Sequence, residues 1–446
     1  MTEPASFAKL RIWAKENGGF IHPALRFMPT ADGSKVVAMD NIPPHSPVLS
    51  CPFSLAITPE TSSAALNTWL QRTAKAEDSL IWEQSTQNWT ERMFICSYIV
   101  THWLARDSGL LESAPELRHF PYLETLPPFR LLSNSLTFCD AEMELLKGTN
   151  LYGATIDRRN ELLEQCQRCQ SVFKRYIPNL ADGFTFERYQ TAAIYISSRS
   201  FPSILLSPNP SLAPTASSPS HPILLPLLDS LNHERSTPVT WMVDGMANAG
   251  SPISRPASGV PSGELAVSIV VGSEIQAESE VLNNYGPKPN SELILGYGFA
   301  LPVNPDDTVI LQLGGSPTKW EITRKGRIGT ADALDGIFQE AFGRLLIAWK
   351  VDMKEELGPE WDGNHEDEEF EVDMVYMRKD AALMLLEASR SRLEGLLGAK
   401  EKLDSLSAEP SPTSSVRAEV LRMLSYYVEG NSYNGLGHSL DGSIAF

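Results

Sequence analysis

Leu224-Leu225-Pro226-Leu227-Leu228-Asp229-Ser230-Leu231-Asn232-His233 and Glu280-Val281-Leu282-Asn283-Asn284-Tyr285-Gly286-Pro287-Lys288-Pro289-Asn290-Ser291-Glu292-Leu293-Ile294-Leu295-Gly296-Tyr297-Gly298-Phe299 are the two stretches on which the reading of this chain turns. The first is an apolar run closed by two polar side chains. Alone, Asn232-His233 reads as a turn or cap, because short polar side chains often end a buried run. In the second, Tyr297-Gly298-Phe299 alone reads as core aromatics beside a turn. Their occurrence together, in this order, is what carries information.

Working outward, 446 residues exceed what one core accommodates, so two or three packed units are expected. Phe7, Leu10 and Trp13 recur on one face of a short helix over 5–17, stopped by Gly18-Gly19. Two β-type runs follow, Val36-Val37-Ala38-Met39 and Val48-Leu49-Ser50-Cys51, around the turn-rich Asn41-Ile42-Pro43-Pro44-His45. From about 80 to 200 the apolar spacing becomes helical. Two stretches, 207–222 and 249–263, are rich in Pro, Ser and Ala and read as mobile surface loops. Beyond about 305 the pattern is mainly helical again. Leu334, Ile337, Phe338, Ala341, Leu345 and Trp349 share one face, and Val416, Val420, Met423, Leu424, Tyr427 and Val428 another, after a Ser415 cap.

The composition, 42% hydrophobic and 21% charged, is that of a globular protein. A net charge of -18 argues against a nucleic-acid surface and fits either a partner that brings positive charge or a merely soluble acidic chain. Five cysteines without framework spacing indicate a reducing compartment. The first residues lack the basic and apolar regions of a signal peptide, and no run reaches transmembrane length, so a cytoplasmic or nuclear location is expected. There is no GxxxxGK[ST], HExxH, GxSxG or paired CxxC, and no GxGxxG opening a βαβ unit. Cys166-Gln167-Arg168-Cys169 is a lone pair on a helical stretch. No metal site is expected.

Taken together, the two opening stretches resemble the SET domain family, in the branch of the plant Rubisco large-subunit methyltransferase, whose SET domain is split. AKENGGFIHPALRF is similar to that branch's opening and VVAMDNIPPHSPVLSCPFSLAIT to its first strands. Pro121-Tyr122-Leu123 with Leu126-Pro127, then Gly148-Thr149 and Ser198-Arg199-Ser200-Phe201, are similar to its helical insertion. LLDSLNH resembles its cofactor motif, and NNYGPKPNSELILGYGF followed by Asn304-Pro305 and Asp307 its closing segment. The resemblance implies an α+β fold: small SET-domain β-sheets with a knot-like closing segment, a helical insertion, and an all-α C-terminal domain for substrate binding. The implied divisions are 1–80 and 201–305 for the SET domain, 81–200 for the insertion and 306–446 for the C-terminal domain.

The implied activity is S-adenosylmethionine-dependent methylation of a lysine on a non-histone protein, by direct in-line transfer. The implied partner is a protein substrate, ribosomal or translation-related among others, with no nucleic acid and no membrane, and the chain is expected to be a monomer. Such chemistry needs no metal but does need a neutral amine, which an apolar channel and the adjacent sulfonium favour by lowering the lysine pKa. Tyr285 is the implied catalytic residue, orienting the amine and the methyl group through its hydroxyl. Asn232, His233, Tyr297, Arg199, Asp32 and Ser34 are the implied cofactor contacts. Ser198, Phe201 and Asp229 would line the lysine channel. Arg199 has a second reading, as a structural ion pair, and Tyr297 as a core tyrosine.

One position departs from the pattern. Within Asp32-Gly33-Ser34-Lys35-Val36, Lys35 stands where the family has the second glycine of a Gly-x-Gly turn, and a side chain there restricts close approach of a ligand. Lys35 and the long Pro/Ser loops favour an alternative, a non-catalytic interaction protein on the same fold. Methyl transfer to histidine is a third reading.

Overall fold

The computed structural model describes residues 3–30, 33–73, 79–207, 220–244, 264–323, 330–358, 368–408 and 416–433. The expected loop 249–263, most of 207–222, Asp32 and the Ser415 cap lie outside them. Two units are distinguished, Met1–Leu132 with Arg158–Gly286, and Ser133–Asp157 with Pro287–Phe446. Among the described residues no helix is long and apolar enough to cross a membrane.

The first unit opens on α1 (Ala5–Glu16), which buries Phe7, Leu10, Trp13 and Ala14. Gly18 takes a φ of 79° and the Gly19 amide returns to the Ala14 carbonyl at 2.7 Å, ending the helix as a left-handed cap does. Strands β1 (Phe20–Ile21), β2 (Leu25–Thr30), β3 (Gly33–Ala38) and β4 (Pro47–Pro52) follow. The hairpin of β2 and β3 runs antiparallel from Leu25↔Ala38 to Thr30↔Gly33. Phe7 stacks on Phe27 of this hairpin with ring centroids 4.6 Å apart.

Five further strands complete the unit's sheets, β5 (Ser200–Pro202), β6 (Pro222–Leu224), β7 (Asn232–His233), β8 (Val239–Asp244) and β9 (Ala266–Val271), with β10 (Leu282–Asn283) as the sixth. A four-stranded antiparallel sheet has the order β1-β4-β9-β8, and its centre, β4 and β9, is almost wholly buried. That burial accounts for the largely apolar runs in both, each broken by one serine, and these two, Ser50 and Ser268, hydrogen-bond each other at 2.5 Å. Strands β5 and β6 pair antiparallel, whereas β7 and β10 pair parallel.

The longer helices that follow α1 in this unit are α2 (Pro59–Thr73), α3 (Glu91–Asp107), α4 (Asn150–Tyr176, in this unit from Arg158 on) and α5 (Phe186–Arg199). Thr90 caps α3 and Thr185 caps α5, each accepting the amide of the third helical residue. Cys166 and Cys169 are buried on α4, and burial pushes both thiols up, so they are held protonated as core side chains.

A buried polar knot sits under α3. The Tyr98 hydroxyl meets His119 Nδ1 at 2.5 Å, and His102 Nδ1 contacts the Tyr98 carbonyl at 2.8 Å. Burial lowers the His102 pKa to about 4 and takes His119 well below its ordinary value.

The second unit is mainly helical, with α6 (Thr330–Leu357), α7 (Glu368–Ala408) and α8 (Ala418–Tyr433). Where an all-α C-terminal domain was expected to begin, it holds an antiparallel hairpin of β11 (Thr308–Leu311) and β12 (Trp320–Thr323). Val309, Leu311 and Ile322 of that hairpin pack with Ile337, Ala341, Phe338 and Leu345 of α6 in one core cluster. Leu334, expected on the same face, is 38% exposed. Gly336 is unfavourable in a helix, but a methyl group there would overlap the Trp320 indole, so the ring occupies the space. Val420, Met423, Leu424, Tyr427 and Val428 of α8 form a second cluster with Phe138, Leu146 and Leu151.

Glu142 anchors that second cluster. Its carboxylate is 1% exposed and takes hydrogen bonds from Arg417 Nε at 2.9 Å, the Arg417 amide at 3.0 Å and the Cys139 amide at 3.0 Å. Burial acts to raise its pKa, but the Arg417 and backbone hydrogen bonds leave it below the ordinary value. A second close approach lies nearby, where a methyl group on Gly148 (φ 90°) would fall 2.6 Å from the Gly395 carbonyl oxygen.

Glu142→Ala should destabilise the protein by about 3 kcal/mol, the low end for breaking a buried ion pair, because Arg417 keeps some exposure. Chemical denaturation measures it. The buried histidines should make stability fall as pH drops from 6.5 toward about 4, since the unfolded chain takes up protons that the folded chain refuses. Each contributes about 1.4 kcal/mol per pH unit within that window. His102→Phe should therefore lose about 1.4 kcal/mol less than the parent between pH 6 and pH 5, read from denaturant midpoints at the two values.

Candidate active site

The parallel pairing of β7 with β10 sets Asn232 opposite Leu282 and His233 opposite Asn283. It is the point where the two decisive stretches meet. The Glu234 amide extends the ladder to the Asn283 carbonyl at 2.9 Å. Asn283, 1% exposed, accepts from Trp241 Nε1 at 3.1 Å and from the Asn284 amide at 2.8 Å. Asn284 then closes a turn, its side-chain oxygen accepting the Gly286 amide at 2.9 Å, with Gly286 at φ 89°.

Tyr285 leaves this turn half-buried and doubly held. Its amide donates to His233 Nδ1 at 3.1 Å, and its ring stacks on the imidazole at 5.0 Å. Because Nδ1 accepts, the neutral ring carries its hydrogen on Nε2. The Tyr285 hydroxyl donates to the Leu231 carbonyl at 2.7 Å. Asn232 is exposed, its Nδ2 donating to Glu280 Oε1 at 2.8 Å and to the Ser34 carbonyl at 3.3 Å. The hairpin position Ser34 is thereby brought to the same edge as Asn232.

Lys35 lies opposite Met28 in the regular β2–β3 ladder, so the strand takes its side chain without backbone strain. Positive φ among the described non-glycine residues occurs instead at His45, Leu227 and Glu278. Leu227, fully buried at φ 80°, introduces the tight turn Leu228–Ser230 that presents Asp229. A branched residue in this region costs on the order of 1–3 kcal/mol and persists only where its surroundings hold it.

Asp229 is deeply enclosed, with a side chain 1% exposed. Arg199 Nη1 donates to its carbonyl at 3.0 Å and to Oδ2 at 3.3 Å, and the Tyr122 hydroxyl donates to Oδ2 at 2.8 Å. The other oxygen, Oδ1, is buried with no protein partner. Burial raises the Asp229 pKa, opposed by Arg199 and by the Tyr122 hydrogen bond. Arg199 therefore stands as an ion pair that joins α5 to the turn. Ser198 is half-buried and donates back to the Ile194 carbonyl at 2.8 Å. Phe201 is buried, its ring edge-on to Trp241 at 4.9 Å.

Tyr297 lies in the second unit, at the end of a π-type turn over Leu293–Tyr297 that stops at Gly298 with φ 84°. A methyl group on Gly298 would fall 2.9 Å from the Asn134 amide nitrogen, so the turn closes against backbone. Lys288 ion-pairs with Glu292 and lies 5.5 Å from the Tyr297 ring centroid. Asn290 ties the segment's ends, bonding Leu301 through both amide atoms and donating to Asp307 from its backbone at 2.6 Å and side chain at 3.0 Å. Burial raises the Asp307 pKa to about 7.

Of the expected residues, Asn232, His233, Tyr285, Ser34, Arg199, Asp229, Ser198 and Phe201 are all in the first unit. Tyr122, Glu280 and Trp241 hold them and were not singled out from sequence; Tyr122 stood only within the Pro121-Tyr122-Leu123 resemblance. Among the described residues there is no group of His, Cys, Asp and Glu able to hold a metal ion. The open cavity bordered by Pro59, Asn67, Trp82, Thr86 and Phe94 includes none of the site residues.

No protein-family model matches the chain. It is 30% identical to the Schizosaccharomyces pombe ribosomal lysine N-methyltransferase set10 over 315 residues, 69% of this chain and 48% of that protein. It is 25% identical to the Danio rerio N-lysine methyltransferase setd6 over 185 residues, 41% of this chain and 36% of that protein. The chain thus spans half or less of the length of these curated relatives. The crystal structure of the SET domain of LSMT bound to MeLysine and AdoHcy superposes with a TM-score of 0.64 at 15% identity, covering 99% of this chain and 91% of that one. The chain has the fold of the LSMT SET domain and is a homologue of lysine N-methyltransferases.

Proposed function

We propose that the protein is an S-adenosylmethionine-dependent protein-lysine N-methyltransferase acting on a non-histone protein. The observation that carries the reading is the β7–β10 pairing, which seats Tyr285 on His233 with its hydroxyl at the Leu231 carbonyl and places Asn232 on the same edge. The name of the set10 relative supports a ribosomal target class, and a ribosomal substrate places the work in the cytoplasm or nucleus.

The donor set suits this cofactor. Asn232 supplies an amide whose present partners, Glu280 and a strand carbonyl, sit at an exposed edge and exchange at low cost. Arg199 brings a guanidinium and Asp229 an unpartnered buried oxygen, complementary to a carboxylate and an ammonium. When bound, S-adenosylmethionine supplies an electrophilic methyl group for direct in-line transfer to the amine.

The chain's own contribution is alignment and water exclusion. His233 and the Leu231 carbonyl fix the Tyr285 ring, leaving its hydroxyl as a rigid hydrogen-bonding point for the incoming amine. Phe201 and Trp241 form an apolar wall that disfavours the charged ammonium and so promotes the neutral, nucleophilic form. Lys35 sits in a regular strand position opposite Met28, and a failure to bind S-adenosylmethionine in the calorimetry below would favour the non-catalytic reading.

Transfer of tritiated methyl groups from S-adenosylmethionine into lysate of a deletion strain should label a protein at lysine. Tyr285→Phe should slow labelling by about 100-fold, the order expected when a reacting group loses its alignment. Its affinity for S-adenosylmethionine, measured by calorimetry, should stay within about twofold. Label on histidine, or equal rates for the two proteins, would overturn the assignment.

A further inference from the structure

We propose that the groove between α2 and the short helix Ser79–Thr86 docks a lysine- or arginine-bearing segment of the protein substrate, through the Trp82 indole and the Glu60 and Glu83 carboxylates. The inference rests on the methyltransferase reading and adds to it a contact for the acceptor protein apart from the residues around Tyr285. The groove is open and has a volume of about 440 Å³, within the range of ligand pockets, ~300–1,000 Å³. Glu60 and Asn67 face it from α2, Trp82, Glu83 and Thr86 from the short helix, and Phe94 from α3. On the first two helices these residues recur at helical spacing, so each helix turns one face to the groove.

Trp82 is 2% exposed, and its ring is held edge-on against Trp89 at 5.5 Å and Tyr176 at 5.9 Å. Its Nε1–H is buried without an acceptor in the protein. A donor in that state has lost its water and gained nothing in return, and the carbonyl of a peptide laid along the groove restores the hydrogen bond. Glu60 and Glu83 are exposed, and neither has an ion-pair partner among the described residues. No lysine or arginine borders the groove. Two unneutralised carboxylates repel a phosphate and attract a cation, and the net charge of -18 extends the same field. Phe94 supplies an apolar surface for the aliphatic stem of a long basic side chain, whose head reaches the carboxylates at the rim. An open groove with both polar and aromatic walls suits a chain passing across it better than an enclosed small molecule.

Indole-proton NMR of the full chain carrying isotope-labelled tryptophan, titrated with a capped hexapeptide of alternating glycine and lysine, reads the contact directly. The Trp82 signal, identified by its loss in Trp82→Phe, should move downfield as its proton gains an acceptor. Glu60→Gln combined with Glu83→Gln, both at exposed positions that the fold does not depend on, should weaken peptide binding about fivefold, the effect of two exposed ion pairs. In the lysate labelling assay the same double variant should raise the apparent KM for the protein substrate by a similar factor. Its kcat and its affinity for S-adenosylmethionine should match the parent's, a split that a general loss of structure would not produce. The inference is overturned by a Trp82 signal that the lysine peptide leaves in place, or that a glycine–glutamate peptide moves equally. A signal moved by spermine alone marks a small-cation site and overturns it too, as does a double variant with the parent's KM. A parent protein that labels no protein at all removes the methyltransferase reading instead. The peptide titration uses no cofactor, so the two failures are distinguishable.

Discussion

Two residues of parallel ladder, Asn232-His233 against Leu282-Asn283, hold together segments that are about fifty positions apart in the chain. A ladder that short stabilises little by itself, and parallel strands demand a long crossover. It persists because each flank is anchored elsewhere. The Val281 amide bonds the Val36 carbonyl at 2.8 Å, Asn284 Nδ2 bonds the Arg235 carbonyl at 2.8 Å, and Trp241 clamps Asn283 from the central sheet. Everything chemical in the first unit is arranged around this crossing, since Tyr285, His233 and Asn232 are all within three residues of it.

The crossing stands beside the unit's costliest features. Leu227 holds a left-handed backbone in a position that suits glycine, and Asp229 keeps a carboxylate out of water. Either would be removed by selection for stability alone. Their adjacency to Tyr285 argues that the turn is kept for where it points Asp229, and that the apolar run on either side (Leu224, Leu225, Leu228 and Leu231 are all fully buried) supplies the rigidity that tolerates the strain.

Much of this was legible in the sequence. The Asn232-His233 and Tyr285 motifs, in this order, carried the family resemblance, and it is that resemblance which implied the fold. The helical faces of α1 and α8 were legible for the ordinary reason, that burial repeats with the helical period. The hairpin of β11 and β12 was not, although Thr308-Val309-Ile310-Leu311 is β-branched, because the longer helical pattern beyond it dominated. Nor was Tyr122: its role depends on a partner 107 positions away, and no local pattern distinguishes a tyrosine that meets a buried carboxylate from one that fills a core.

The closing stretch, continuous as a motif, is mechanically two pieces. Up to Gly286 its residues are held by the first unit, through His233, Leu231, Arg235 and the strand β3. From Pro287 on they are held within the second, through Asn290, Asp307, Asn304 and the backbone at Asn134. Asn304 Nδ2 donates to the Lys288 carbonyl at 2.8 Å, so the second piece is pinned within two residues of where it begins. Gly286 at φ 89° and Pro287 directly after it form the joint, the one permitting an unusual dihedral and the other restricting the next. Tyr285 is therefore seated by one set of hydrogen bonds, and the aromatic pair Tyr297-Phe299 by another.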